Sequence, residues 1–535
     1  MSSDPESEPV RPRRRPPPVL ALVLGFSLVL NLTGIWWGLP QSGSWAPDEI
    51  FPGRIYDGMS NLFSHGWHEK YPLFHFMLLT PIVFVCSLLY DAGILRLSPA
   101  GEHTLILLLM RLVSAAMAAG LIFGVFRLAR DLLSRRAGLF AAAMTAILVP
   151  MSYYAKTANV DVPYLFWFVA SLNFLVRALK DGRRRDYVLF GVTAALAVCT
   201  KDQSYALYVL VPLIFVWNDI KRARLRRTLA SYGFALAAAA GTFAVANNLI
   251  FNWTGFVSHF RLITGAASQD FAAFPANAMG QLQLLGLAAK QVRFCLGWPF
   301  FLICIAGLVL ILLDKAAPPA LKALPLLALS YHVFYTAVIR YSYDRFQLPA
   351  ALLLAVFGGI AMDRFLGRRR VKWKTALAAA VFAYGLFLAV SVDRLMLADS
   401  RYATERWMRN HIALSAIIGT ATNLEYLPRL EGYRVSELPL TLEEFRAAPK
   451  PEYVVFCTAF RASFEPKSDG GRFFAGFAAV PPGYRRVLDA KTKLALFPLS
   501  FEGIGTNLAA IGPGIEIYAR ADLPAGALPP VAKAP

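Results

Sequence analysis

Stretches of about 20 apolar residues recur along most of this 535-residue chain, and no other feature constrains its fold as much. A run of that length crosses a bilayer as a helix, because inside lipid only helices and closed barrels satisfy every backbone polar group. Spanning helices are read near residues 19–39, 104–126, 137–154, 161–178, 186–200, 203–218, 229–251, 291–313, 319–339, 346–363 and 374–393. Composition agrees. Charged residues make up 16% of the chain, where a soluble domain carries roughly a quarter, and the mean hydropathy is +0.48.

The formal charge of +20 would suit a nucleic-acid partner if it were spread over one surface. Instead the positives sit in short clusters between apolar runs: RPRRR, RLARDLLSRR, KDGRRR, KRARLRR and RFLGRRRVKWK. That is the pattern of cytoplasmic loops, and it argues against nucleic acid. A twelfth apolar stretch, Tyr71 to Tyr90, decides the topology. If it crosses, the basic clusters alternate onto opposite sides. If it lies in the interface or re-enters from outside, every cluster falls inside. Pro72 and Pro81 suit such a broken helix. The expected architecture is therefore an all-α polytopic membrane protein with about eleven spans and one re-entrant or interfacial helix. Its N-terminus is cytoplasmic.

This count places five polar stretches on the outer face. They are SWAPDEIFPGRIYDG with HGWHEKYPLFHF, then YYAKTANVDVPY, TKDQSY, the loop from about 252 to 290, and RYSYDRFQLP. The last span delivers residues 395–520 to the same side. That region carries a helix-like YATERWMRNHI and strand-like AIIGTA, YVVFC, YRRVLDA and KLALFPL, and reads as a small α/β domain. Residues 1–17 read as a disordered cytoplasmic leader, 18–394 as the transmembrane domain and 521–535 as a flexible tail. The first apolar run is too long for a signal peptide and no small-residue cleavage site follows it. Five cysteines show no metal or disulfide spacing, and neither do the seven histidines; no Walker, GxGxxG or GxSxG motif occurs.

Outside the basic loops, charges are few and gather at outer helix ends, where an ionisable group at membrane depth is by default a functional candidate. Asp48 and Glu49 after Pro47 are placed for general-base work, or to cap the segment beginning near Phe51. Lys70 in HEKYP suits a phosphate at the interface, or snorkels to headgroups. Asp161 opens a helix five residues after Lys156, so capping and a Lys156–Asp161 ion pair compete with a role in a site. Lys201 and Asp202 break an apolar hairpin, as a polar turn also would. Arg340, Tyr343 and Arg345 mix cations with tyrosine, as an aromatic belt does. Together, carboxylates beside phosphate-binding cations on one lipid-facing side suit transfer from a lipid-linked phosphosugar.

The order of these motifs resembles the polyprenyl-phosphate-sugar-dependent glycosyltransferases of the GT-C class. These include the protein O-mannosyltransferases, the aminoarabinose transferases of lipid A and bacterial relatives with an RgtA/B/C/D-like domain. The likeness covers about residues 20–400. It rests on Asp48-Glu49, the KYP turn from Lys70 to Pro72, Asp161 in ANVDVPYLFW, TKDQ from Thr200 to Gln203, and RYSYDRFQLP. DSRYATERWMRNHI resembles the entry to the family's outer domain. Tyr71 stands where the family has the first proline of its K-P-P turn, and the arginine after the acidic pair is shifted to Arg54.

The resemblance implies an inverting sugar transfer with no required cofactor, a divalent metal being optional. Asp48 would be the base and Glu49 would orient its loop. Lys70 with Arg340 or Arg345 would hold the donor phosphate. Asp161, Lys156, Lys201, Asp202 and Tyr343 would line the sugar or acceptor end. The implied partners are a polyprenyl-phosphate-linked sugar, a lipid, glycan or protein acceptor, and the bilayer. The Ala/Arg-rich composition points to a bacterial inner membrane. Two other readings share the cavity and cations without a base: a transporter or flippase for lipid-linked saccharides, and a non-catalytic assembly subunit.

Overall fold

The computed structural model of the protein describes residues 18–40, 44–367, 371–421, 423–461, 464, 467–479, 483–491, 500–523 and 532–534. The expected leader, the KLALFPL strand and most of the expected tail lie outside the described residues. The chain is mostly helical with a small C-terminal sheet, as expected, and its run of apolar helices makes it a multi-pass membrane protein.

Seven helices among the described residues are long and apolar enough to cross a membrane, and a bent pair would make an eighth. Each of the eleven expected spans coincides with helix, but several are shorter than the apolar run suggested. The run 19–39 is helical only over Pro18–Leu32. Pro150 divides 137–154 into Arg135–Ala146 and Met151–Tyr154. The run 203–218 begins as a 3-10 turn, Asp202–Leu207, before the helix Val211–Lys221. The run 291–313 is not one straight helix: Ala278–Leu296 and Trp298–Leu313 meet at 112°. Gly297, at φ +71°, makes that corner, with Pro299 just inside the second helix.

Conversely, the Tyr71–Tyr90 stretch is not broken. Pro72 lies just outside the helix Leu73–Asp91, and Pro81 is carried inside it. This helix is itself long and apolar enough to span.

Small residues let the helices approach closely. A Cβ on Gly191 would lie 2.2 Å from the Ala235 carbonyl oxygen, and one on Gly359 would lie 2.4 Å from that of Ala137. The resulting core runs continuously through the bundle. It includes Ile504, Leu508 and Ile511 from the far end of the chain.

Helix Lys372–Leu397 turns at Asp399 into helix Ser400–His411, which leads to the sheet. Its strands are β1 (Ile417–Thr420), β2 (Arg434–Glu437), β3 (Tyr453–Cys457), β4 (Tyr484–Ala490), β5 (Ile515–Arg520) and β6 (Ala532–Ala534), in spatial order β2-β1-β3-β5-β4-β6. β1 is parallel to β2 and β3, while β5 is antiparallel to β3 and β4. The last strand comes from the expected flexible tail and pairs in parallel with β4. Alternation along β3 and β5 gives the sheet two apolar faces. Val455 and Ile517 pack with Met408 on one side, and Val454 and Phe456 pack with Phe473, Phe474 and Phe477 on the other.

Candidate active site

The acidic pair splits in two directions. Glu49 turns inward, where Arg111 grips both its oxygens at 2.8 Å, the Ala158 amide donates to it at 2.6 Å and the Ser44 hydroxyl donates as well. Arg111 also donates to the carbonyls of Ile35 and Trp37, at 2.7 and 2.9 Å. Glu49 therefore has no spare capacity and anchors the loop.

Asp48 turns outward. It adopts a left-handed conformation, φ +65°, which costs a non-glycine residue about 1–2 kcal/mol. Lys70 Nζ donates to Oδ1 at 2.6 Å, and an Arg345 guanidinium nitrogen lies 2.6 Å from Oδ2. Lys70 is half exposed, at 53%, whereas Arg345 and Asp48 are at 9% and 18%, so the ion triplet opens on the Lys70 side. Burial alone would raise the Asp48 carboxyl. The charges of Arg345 and Lys70 prevail and hold it well below the usual carboxylate range.

Behind this triplet lies a second pair. Lys201 Nζ is 2.5 Å from Asp161 Oδ1, both are buried, and the ammonium lies between the rings of Tyr164 at 5.5 Å and Phe346 at 5.7 Å. Lys201 also contributes to lowering Asp48, so the two pairs belong to one electrostatic unit. Arg345 Nε and Asp161 Oδ2 are buried without a hydrogen-bond partner among the described residues. Unspent capacity of that kind is costly unless a ligand or water takes it up. Tyr343 flanks the site, its ring centre 5.0 Å from the Arg345 guanidinium carbon.

Other candidates are placed elsewhere. Lys156 does not pair with Asp161. It is buried against Asp393 and donates to the carbonyls of Leu30 and Thr33, at 2.8 and 2.7 Å, tying three segments together. Arg340 forms no ion pair among the described residues, and its carbonyl accepts the amides of Ala273 and Phe274. Asp202, next to Lys201, faces His259 instead, its oxygens 3.1 and 3.2 Å from His259 Nε2. His259 Nδ1 lies 2.6 Å from the Glu69 carbonyl oxygen, and Arg54 pairs with the Glu69 side chain at 3.0 Å. Both ring nitrogens of His259 thus face acceptors, which calls for the doubly protonated ring. Burial lowers its pKa, but the Asp202 contacts outweigh burial and the net shift is upward.

Three contributors escaped the sequence reading. Arg111 was signalled by a lone cation within the apolar run LILLLMRLVSAAM. His259 sits in the short helix Trp253–Thr264 with no motif around it. The third is a C-terminal strap, where Thr506 donates to Asp344 at 2.8 Å and Asn507 to the Pro47 carbonyl at 3.4 Å. The C-terminal region also covers Trp45, which lies against the guanidinium of Arg401 at 4.1 Å and the ring of Tyr402 at 4.9 Å. Glu425 hangs close enough to the site that burial and the Asp48 charge raise its carboxyl. Among the described residues, no group of three or more His, Cys, Asp or Glu side chains is placed to hold a metal ion.

Residues 107–246 match the profile of the family described as dolichyl-phosphate-mannose-protein mannosyltransferase. The resemblance to glycosyltransferases that use lipid-phosphate sugars is thereby borne out. No curated protein matches the chain significantly. Among solved structures, the chain is similar to ArnT from Cupriavidus metallidurans in the apo state, with 12% identity, TM-score 0.49, and 96% of this chain and 99% of that one covered. The same protein bound to undecaprenyl phosphate gives 14% identity, TM-score 0.48, and 94% and 98% coverage. The oligosaccharyltransferase of Archaeoglobus fulgidus tethered to an acceptor peptide gives 12% identity, TM-score 0.46, and 94% and 88%.

Proposed function

We propose that this protein is a membrane glycosyltransferase that moves a sugar from a polyprenyl-phosphate carrier to an acceptor hydroxyl, on the outer face of a bacterial inner membrane. The observation that carries this reading is the Asp48 carboxylate held between Lys70 and Arg345 at 2.6 Å each. The family match over residues 107–246 supports the donor class.

The resting triplet suits phosphate arrival. A carboxylate clamped by two cations is a poor base. When the donor phosphate engages Lys70 and Arg345, their charge is shared with its oxygens, and Asp48 regains basicity as the acceptor approaches. Asp48 then takes the proton from the acceptor hydroxyl. The hydroxyl oxygen attacks the anomeric carbon from the face opposite the phosphate. The bond from that carbon to the phosphate oxygen breaks, and the electron pair leaves with the polyprenyl phosphate, whose growing charge the two cations stabilise. One displacement inverts the anomeric configuration. General-base assistance of this kind contributes about 10²–10⁴-fold.

Glu49 and Arg111 fix the loop. Asp161 and Lys201 line the sugar or acceptor end, with Tyr343 at its edge, and Asp202 acts through His259. Lys156 is assigned to the scaffold. Mass spectrometry of envelope glycans and lipid-linked sugars, with and without the protein, tests the reading. Loss of one glycan modification together with build-up of a polyprenyl-phosphate sugar is expected. Identical profiles would refute it.

A further inference from the structure

Residues 501–513, a strap that precedes β5, pack against the helical bundle. The segment is anchored at both ends. Lys290 donates to the carbonyls of Glu502 and Gly503 at 3.3 Å, and Gln291 donates to that of Ile504 at 2.6 Å. At the far end Arg401 donates to the Ala510 carbonyl at 3.0 Å, and the Gly512 amide donates to Asp399 at 2.9 Å. Ile504 and Leu508 are buried in the bundle core.

Between these anchors the strap bonds the residue that precedes each half of the Asp48–Arg345 ion pair. On the arginine side, the Asp344 amide donates to the Gly505 carbonyl at 2.9 Å, and the Thr506 hydroxyl donates to Asp344 Oδ2 at 2.8 Å. Asp344 Oδ1 in turn accepts the amide of Arg345 at 2.7 Å and the hydroxyl of Tyr154 at 3.2 Å. On the acid side, Asn507 donates to the carbonyl of Pro47, the residue before Asp48. Gly505 makes the approach possible. Its φ is +65°, and a Cβ there would lie 3.0 Å from the Ser342 carbonyl oxygen.

We infer that the strap positions the active site: Thr506 and Asn507 are positioning residues that hold Arg345 and Asp48 at the spacing a donor phosphate enters. This rests on the proposed function, because it takes the Asp48–Arg345 pair as the phosphate site. The strap acts by geometry. Removing the Thr506 hydroxyl leaves the buried Asp344 oxygen short of a donor, and the turn that aims Arg345 is free to shift. The outer region is then part of the catalytic unit as well as a cover for it.

The test uses the full chain in lipid nanodiscs titrated with undecaprenyl phosphate, with binding read by native mass spectrometry and folding by thermal unfolding. Thr506→Val keeps the side-chain shape and removes the donor. It is expected to weaken binding about tenfold, with the unfolding temperature little changed. Thr506→Ser restores binding, and Asn507→Ala weakens it less. Wild-type affinity in Thr506→Val overturns the inference, as does a loss that Thr506→Ser fails to rescue. Arg345→Gln separates the two levels. If it binds like wild type, the phosphate-site reading fails and the strap's role falls with it. If it loses binding while Thr506→Val does not, only the strap's role is rejected.

Discussion

Arg111 decides what each member of the acidic pair can do. A buried arginine that spends its hydrogen bonds on Glu49 and two carbonyls makes Glu49 structural, and leaves Asp48 as the member open to a substrate. Arg111→Leu strands the Glu49 carboxylate in the core and is expected to cost about 3–5 kcal/mol. The loss would appear as a lower unfolding temperature in detergent, and Arg111→Leu with Glu49→Leu should recover part of it. A single substitution with no effect on unfolding would contradict this assignment. Asp48, Lys70, Asp161, Lys201 and Arg345 were candidates in the sequence, because an ionisable residue at the end of an apolar helix is by default a functional candidate. Their pairing was not. Lys156 lies five residues from Asp161 yet is bonded to Asp393, 237 residues away, and Lys201 takes the nearer acid. Separation along the chain carries no information about such contacts.

The helix Trp253–Thr264 is fastened by a histidine. His259 joins the Glu69 carbonyl to Asp202, and each of those residues neighbours a site cation, Lys70 or Lys201. The charged groups around this latch are Asp202, the Glu69–Arg54 pair and Lys70. A histidine whose folded pKa is raised contributes stability that is complete below the unfolded value near 6.5 and is lost as pH rises through the folded value. Thermal unfolding of wild type and His259→Ala should therefore differ most below pH 6.5 and converge in alkaline buffer. A difference that grows with pH would contradict the latch. At this scale, apolar run length and proline position located the helices but not their ends. Pro81 did not break its helix, while Gly297 turned one expected span through 112°. The strap was not legible, since apolar residues such as Ile504, Leu508 and Ile511 among glycines do not say which surface they pack against.

Across the whole molecule, an early segment and a late segment of the chain converge on the candidate site. The loop around Asp48, the turn at Asp344 and the strap of residues 501–513 meet over helices that the middle of the chain supplies. The helical turn at Asp399 that leads to the sheet holds the strap through Asp399 and Arg401. Architecture was legible because bilayer solvation dictates it, and the meeting of these segments was not, because tertiary packing alone sets it. The proposed chemistry depends on one atom group in this assembly, the Asp48 carboxylate. The decisive measurement is sugar transfer in cells carrying Asp48→Asn at wild-type expression, with lipid-linked donor and modified glycan quantified together. Loss of the modification by about 10²-fold or more, with the donor accumulating, is expected. Wild-type levels of both would contradict the assignment of Asp48 as the base.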